Sequence, residues 1–252
     1  MANPRLGLHL YTVRDDLKAD YRGTLIRAAT IGYPAISGYG DFGGMTPAHF
    51  KTFASETGLV PVAGAIDFAA AIRDPAAALA PHAAVGAVAA CVMWLDESHR
   101  KTAADVQRTA ERFNEIGKAA RKLGLVFQYH NHAFEFEAVE GRTIMDRLVE
   151  ATDPALVGFQ VDVGWLVRAG QDPAAWLRKL KGRVPTIHLK DTSSGASPAW
   201  VEIGNGVLDL AAVRAASVDA GVKWWLVEQD TCARPPMESA AISFRNASAL
   251  LA

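Results

Sequence analysis

The chain has 252 residues, a formal net charge of −1 and two cysteines, Cys91 and Cys232. That length suits one (β/α)8 barrel, typically about 250 residues, or two smaller domains. Long basic or acidic blocks are missing, which argues against nucleic acid or a charged membrane surface; no apolar run approaches the ~20 residues of a membrane span, and two cysteines make no disulfide framework.

The start, Met-Ala-Asn-Pro-Arg-Leu, lacks the basic-then-apolar order of a signal peptide, so a soluble cytoplasmic protein is expected. A first strand is predicted over 5–10 and a helix over 16–31, with Gly32 at its C′ position. A short strand over 34–37 leads into the glycine-rich loop Gly38-Tyr39-Gly40-Asp41-Phe42-Gly43-Gly44. Thr46-Pro47 opens the next helix, as N-cap and first helical residue, and Gly58 stops it. The third strand covers 59–65, Asp74-Pro75 opens an alanine-rich helix, and the fourth strand covers 88–94. Thr102-Ala103-Ala104-Asp105 resembles a capping box with Asp in the usual Glu position. Val106, Ala110, Phe113, Ile116, Ala120 and Leu123 then recur at helical spacing up to Gly124. A fifth strand from Leu125, a helix over 143–151 and a sixth strand from Leu156 follow. Asp172-Pro173 caps the next helix, the seventh strand starts at Val184, and a helix over 208–220 ends at Gly221. The eighth strand starts at Val222, and a helix over 240–251 follows.

Eight strands alternating with eight helices imply a parallel sheet with helical crossovers. Eight units favour closure, so the expected class is α/β, a single (β/α)8 TIM barrel spanning 1–252. A doubly wound sheet would want a glycine fingerprint directly after the first strand, where Tyr11-Thr12-Val13-Arg14 stands instead.

Several strands end in residues that carry chemistry: His130-Asn131-His132, Asp162, His188-Leu189-Lys190-Asp191 and Glu228-Gln229-Asp230. Barrel enzymes place their sites at the C-terminal ends of the strands. Candidates by that rule are His9, Trp94, His130, His132, Asp162, His188, Lys190 and Glu228. Any one alone reads better as structure: a strand-end Asp caps a helix and a His fills a core, whereas Lys190-Asp191 reads equally as a surface ion pair or a substrate contact. His, Asp, His and Glu at four strand ends read better as a divalent-metal site, since buried charges need pairing or a metal. Mixed N and O donors suit Mn, Co, Zn or Fe above Ca or Mg. Side-chain alternation puts His130 and His132 on one face, and His188 and Lys190 on one face. Trp94 and Trp165 follow strands and suit an aromatic wall for a sugar ring; Trp224 and Trp225 read as packing. His49, His82 and His99 read as surface residues, and Gly204-Asn205-Gly206 as a turn bordering the site.

At these residues the chain resembles the sugar phosphate isomerase/epimerase superfamily, the xylose-isomerase-like TIM barrels. The resemblance rests on Gly7-Leu8-His9-Leu10-Tyr11-Thr12-Val13-Arg14-Asp15, Tyr129-His130-Asn131-His132 with Glu135-Phe136, and Val161-Asp162-Val163-Gly164-Trp165. It continues in His188-Leu189-Lys190-Asp191, Glu202-Ile203-Gly204-Asn205-Gly206 and Val227-Glu228-Gln229-Asp230. It implies one divalent ion, manganese first, with cobalt, zinc, iron or magnesium as substitutes. Asp162, His188 and Glu228 match three of the family's four ligands. The first departs: His130 stands where many members have Glu, and His132 and Glu135 are rivals for its ligand role. The loop at Ser37-Gly38 also lacks a Glu common after the second strand.

The implied activity is proton abstraction next to a carbonyl of a keto-sugar or polyol, read first as isomerisation or epimerisation. Elimination on a 3-keto sugar or inosose is the alternative, because His130 replaces one member of the usual glutamate pair. His130 and Glu228 are the expected catalytic residues, and His130, Asp162, His188 and Glu228 the metal ligands. His9, Trp94, His132, Glu135, Trp165 and Lys190 are expected to contact substrate. A DNA-repair endonuclease of the same barrel type would need more than the chain's 7 histidines and a basic surface. A non-catalytic sugar-binding barrel is the third reading, and a homo-oligomer is left open.

Overall fold

Residues two apart along a strand share a face, and this parity explains how the barrel interior is filled. The computed structural model describes residues 3–252, so the first two residues of the start read above lie outside it. Eight parallel strands close into a barrel: β1 (Arg5–His9), β2 (Ala35–Tyr39), β3 (Val60–Ile66), β4 (Ala89–Val92), β5 (Val126–His130), β6 (Val157–Asp162), β7 (Thr186–Leu189) and β8 (Trp224–Val227). Each pairs with its sequence neighbours, and β8 closes on β1 with Leu8 opposite Val227.

The lumen is layered by that parity. At the N-terminal end Ala35, Val62, Ala63, Ala89, Trp224 and Leu226 form a separate apolar cluster. Gly7 makes room for it, because a Cβ there would lie 2.9 Å from Leu226 Cδ2. The next layer is polar: Thr186 Oγ1 donates to Gln128 Oε1 at 2.7 Å and accepts from Gln160 Nε2 at 3.0 Å. Two residues further along the same strands come His130, Asp162 and His188, while Glu228 follows Leu226 of β8 by the same step. A one-residue slip of any strand would turn its ionisable side chain out of the lumen.

Outside the barrel lie α1 (Arg14–Ala19), α2 (Tyr21–Ile31), α3 (Pro47–Glu56), α4 (Phe68–Arg73), α5 (Pro75–Val85), α6 (Ala103–Lys122), α7 (Ile144–Ala151), α8 (Val163–Arg168), α9 (Pro173–Lys179), α10 (Leu210–Ala220) and α11 (Pro236–Leu251). The capping box of α6 forms as read: Thr102 Oγ1 accepts from Asp105 N–H at 3.1 Å, and Asp105 accepts from Thr102 N–H at 2.9 Å. Among the described residues no helix is long and apolar enough to cross a membrane.

Four details differ from the sequence reading. The helix expected over 16–31 breaks at Asp20, which leaves helical geometry and caps α2 by accepting from Gly23 N–H. Gly23 permits this, since a Cβ there would lie 1.8 Å from Asp20 Oδ2. Short helices α4 and α8, capped by Asp67 and Asp162, add to the eight expected. Leu123, placed on the apolar stripe of α6, is exposed at the helix end. His82 is buried, because Gly64 of β3 leaves a slot that its ring fills; a Cβ at Gly64 would sit 2.0 Å from His82 Nδ1. Burial pulls its pKa down to about 4.

Candidate metal centre and active-site cavity

Five strand ends deliver ionisable side chains to one point. His188, at the centre, lies with Nδ1 2.6 Å from Glu228 Oε2 and 3.8 Å from Asp162 Oδ2. His130 Nε2 is 3.9 Å from Asp162 Oδ2, and His9 Nε2 is 3.6 Å from Glu228 Oε1. Two triads that could each hold a metal ion thus share His188: His130 with Asp162, and His9 with Glu228. Partners behind the cluster set its orientation. Ser37 Oγ lies 2.9 Å from His9 Nδ1, and Asn131 Oδ1 accepts from Asp162 N–H at 3.0 Å. Such outer contacts fix ring and carboxylate orientation.

Asp162 has two roles. Its Oδ1 accepts from Trp165 N–H at 2.9 Å and caps α8, while its buried Oδ2 faces the Lys190 ammonium at 3.0 Å and the His188 and His130 imidazoles at 3.8 and 3.9 Å. The bland reading of a strand-end Asp thus holds for Oδ1 and leaves Oδ2 turned to the cluster.

Lys190, read as either a surface ion pair with Asp191 or a substrate contact, is buried. Its Nζ lies 3.0 Å from Asp162 Oδ2, 2.9 Å from Glu228 Oε2 and 2.7 Å from Asp230 Oδ1. Asp191 turns away instead and accepts four backbone N–H groups, from Thr192, Gly204, Gly206 and Leu208, at 2.9–3.1 Å. That pins the loop after β7 and explains Gly206, where a Cβ would lie 2.2 Å from Asp191 Oδ1.

The electrostatics follow from burial. It pulls His9 and His132 down to about 3 and His130 well below the usual imidazole range, aided by the neighbouring imidazoles and Lys190. Burial also pushes Asp162 up to about 6, against Lys190 and His188. At Glu228 burial is outweighed by Lys190, His9 and His188, which hold the carboxyl well below its ordinary value. At Lys190 burial is likewise outweighed by Asp162, Glu228 and Asp230, which raise its pKa.

These observations test the metal expectation. Three buried or half-buried carboxylates face one ammonium, leaving the cluster two charges short of neutrality. Buried charge must be paired or bind a metal. Together with the buried His188 Nε2, which has no hydrogen-bond partner, and the mixed imidazole–carboxylate set, this deficit fits a divalent cation. His130, Asp162, His188 and Glu228 would hold it, with His9 beside them.

Above the cluster opens a cavity of about 740 Å³. His9, Trp94, His130, His132, Trp165, Lys190 and Glu228 reach its wall, whereas Asp162 and His188 lie beneath. His132 packs edge-on to Trp94 at 5.0 Å and against Phe134 and Trp165, forming the aromatic side. Glu135 does not join them. It is fully buried, with one oxygen bonded to the Tyr129 hydroxyl and the other accepting from His132 N–H at 2.7 Å. It braces the loop that carries His132 and has no free oxygen for metal or substrate; burial pushes its pKa up to about 7. The sequence reading named Asp230 at its strand end without giving it a role, and missed the ligand-like placing of His9. Asp230 had a signal, lying two residues beyond Glu228.

Asp162→Asn is expected to weaken binding of a divalent ion by more than the ~10–100-fold typical of losing an outer-shell partner. Helix α8 keeps its cap, because an amide oxygen also accepts from Trp165 N–H. Metal content after dialysis, with circular dichroism as the folding check, tests this; full retention would remove Asp162 from the ligand set.

The family model described as xylose isomerase-like TIM barrel matches residues 4–245. An inosose dehydratase of Bacillus anthracis is 29% identical over 153 residues, 53% of this chain and 51% of that protein. One from Clostridium tetani is 30% identical over 150 residues, 52% and 50% of the two chains. This chain thus spans about half the length of the curated relatives it matches. A crystal structure of a sugar phosphate isomerase/epimerase from Parabacteroides distasonis superposes with a TM-score of 0.86 at 23% identity, over 100% of this chain and 96% of that one, a likeness of fold. With a closed eight-stranded barrel and a family match over nearly its whole length, the chain belongs to the xylose isomerase-like TIM barrel family.

Proposed function

We propose that the protein is a divalent-metal-dependent lyase that dehydrates a keto-polyol of the inosose or 3-keto-sugar class. The observation that carries this is the convergence of His130, Asp162, His188 and Glu228 at the base of a cavity whose wall also holds the separate imidazole of His132. A metal bound by those four would supply Lewis acidity to the substrate carbonyl; their mixed donors favour a first-row ion, with manganese the first candidate.

The chain's own residues then divide the work. His132, kept neutral by burial, takes the proton from the carbon next to the carbonyl. The C–H electron pair becomes the new C=C bond as the C–O bond at the β carbon breaks. The departing hydroxyl collects the proton from His132 and leaves as water, so one keto-polyol gives one unsaturated ketone and one water. Lys190 stays protonated and offers positive charge to the developing enolate, while Trp94 and Trp165 flank the ring.

The sequence reading put isomerisation first and elimination second. Two features favour the reverse order. Glu228 is the one glutamate on the cavity wall among the described residues, and it is tied to His188 and Lys190, so a two-glutamate shuttle lacks its second member. The relatives named inosose dehydratase point the same way. The histidine argument changes form, however. A buried imidazole of low pKa is no ready acid, and it serves as acid only with the proton it has just taken.

Incubating metal-loaded protein with keto-inositols and 3-keto sugars in deuterated water tests the proposal. The expected product is an unsaturated ketone absorbing in the ultraviolet, with loss of one water by mass. A product of unchanged composition carrying deuterium at carbon would restore isomerisation.

A further inference from the structure

Lys190 carries its ammonium on a stem whose base is held in place. Its Cβ and carbonyl oxygen pack on Gly164 of α8, where a Cβ would lie 2.9 Å from both. The next residue, Asp191, is pinned by its backbone N–H donors. The head of the side chain is thus the part free to shift, and its surroundings limit where it can go. Nζ stands 4.9 Å from the ring centre of Trp200 and 5.6 Å from that of Trp165, so aromatic faces close part of its surroundings. The polar part is the three carboxylates. An ammonium has three donors, and here each carboxylate can take one.

The three carboxylates are not equivalent. Asp162 and Glu228 belong to the metal set, and their side chains are 0% and 5% exposed. That of Asp230 is 20% exposed and lines the cavity wall. Lys190 makes its shortest contact there, at 2.7 Å, and is the one ion-pair partner of Asp230 among the described residues. The oxygens it touches on the other two, Asp162 Oδ2 and Glu228 Oε2, are also those that approach His188 Nδ1, at 3.8 and 2.6 Å. These are the oxygens turned toward the rest of the metal set. Sharing them between an ammonium and a dication would hold like charges a few ångströms apart in a poorly screened interior, where repulsion is strong. A small shift of the ammonium toward Asp230 relieves that repulsion, and the contact it needs already exists.

We propose that Asp230 is a positioning residue: when a divalent ion binds Asp162 and Glu228, Asp230 receives the Lys190 ammonium and holds it on the cavity wall, facing substrate. In the metal-free protein the ammonium is the counter-cation of the two deep carboxylates. In the loaded protein it is the positive charge that a developing enolate meets. Lys190 is protonated in both positions, so no proton moves. The relocation rests on the metal set given above and not on which reaction follows.

Calorimetric manganese binding by the wild type, Asp230→Asn, Lys190→Met and the double variant tests this. Lys190→Met is expected to bind manganese at least ~10-fold tighter, since no ammonium has to be displaced. Asp230→Asn is expected to weaken binding about tenfold when Lys190 is present and less than about threefold in Lys190→Met, a coupling within the usual range for residues of one ion cluster. Binding no tighter in Lys190→Met, or equal weakening by Asp230→Asn in both backgrounds, would overturn the proposal, because Asp230 would then act on the ion without the ammonium. Lys190→Met destabilises the metal-free protein, so a second measurement uses the wild type. Acetylation of Lys190 by acetic anhydride, followed by peptide mass, is expected to run several-fold faster with manganese than without. An equal or slower rate would overturn the relocation. A wild type that binds no manganese would overturn the metal set together with the relocation built on it, whereas manganese binding without coupling would overturn the relocation alone.

Discussion

Lys190→Met is expected to lower the stability of the metal-free protein by about 3–5 kcal/mol, the usual cost of removing one partner from a buried ion cluster. The ammonium lies within 3.0 Å of carboxylate oxygens of Asp162, Glu228 and Asp230. Without it those three carboxylates share the lumen end with His9 and His130, whose pKa values burial lowers. Methionine fills similar volume, so little of the loss comes from a cavity. A bound divalent cation would restore most of the missing charge, and the deficit should shrink markedly when the metal is present. Urea unfolding of wild type and variant, each with and without manganese, measures both numbers. An equal loss in the two conditions would mean that Lys190 acts by packing, and that the cluster does not take a cation.

His132→Gln is expected to cut kcat about 10²–10⁴-fold, the range for a positioned acid–base group, while metal content stays that of the wild type. The separation follows from position. His132 stands on the cavity wall among Trp94, Phe134 and Trp165, whereas His130 Nε2 is the one that approaches Asp162. His130→Gln should therefore lower metal content and rate together. If the two variants behave alike, with both losing metal, His132 is a ligand and the proton carrier must be sought elsewhere. If His132→Gln keeps full kcat, the single-histidine elimination is wrong.

Much of the architecture was legible in the order of residues because it depends on short-range periods. Period-two strands, Thr102 and Asp172 caps and glycine stops at Gly32, Gly58, Gly124 and Gly221 involve residues a few positions apart. The same parity carried the site: once Gln128, Gln160 and Thr186 face the lumen, His130, Asp162 and His188 must follow them to its rim.

Tertiary structure alone decided how the strand ends meet. Barrel closure brings Thr12 within hydrogen-bonding distance of Gln229 across 217 positions, and by the same closure His9 approaches Glu228. No local pattern encodes that contact. Nor could the chain order distinguish Lys190, which turns inward to three carboxylates, from Asp191, which turns to four backbone N–H groups. The two are adjacent and of opposite charge, so a surface pair and a substrate contact read equally well. Glu135 was similar: as a loop carboxylate it resembled a ligand until its two oxygens were found bonded to Tyr129 and His132. Charge type and spacing along the chain set which groups were available; the direction each side chain took, and hence what it paired with, was set by the space left when eight strands closed on one another.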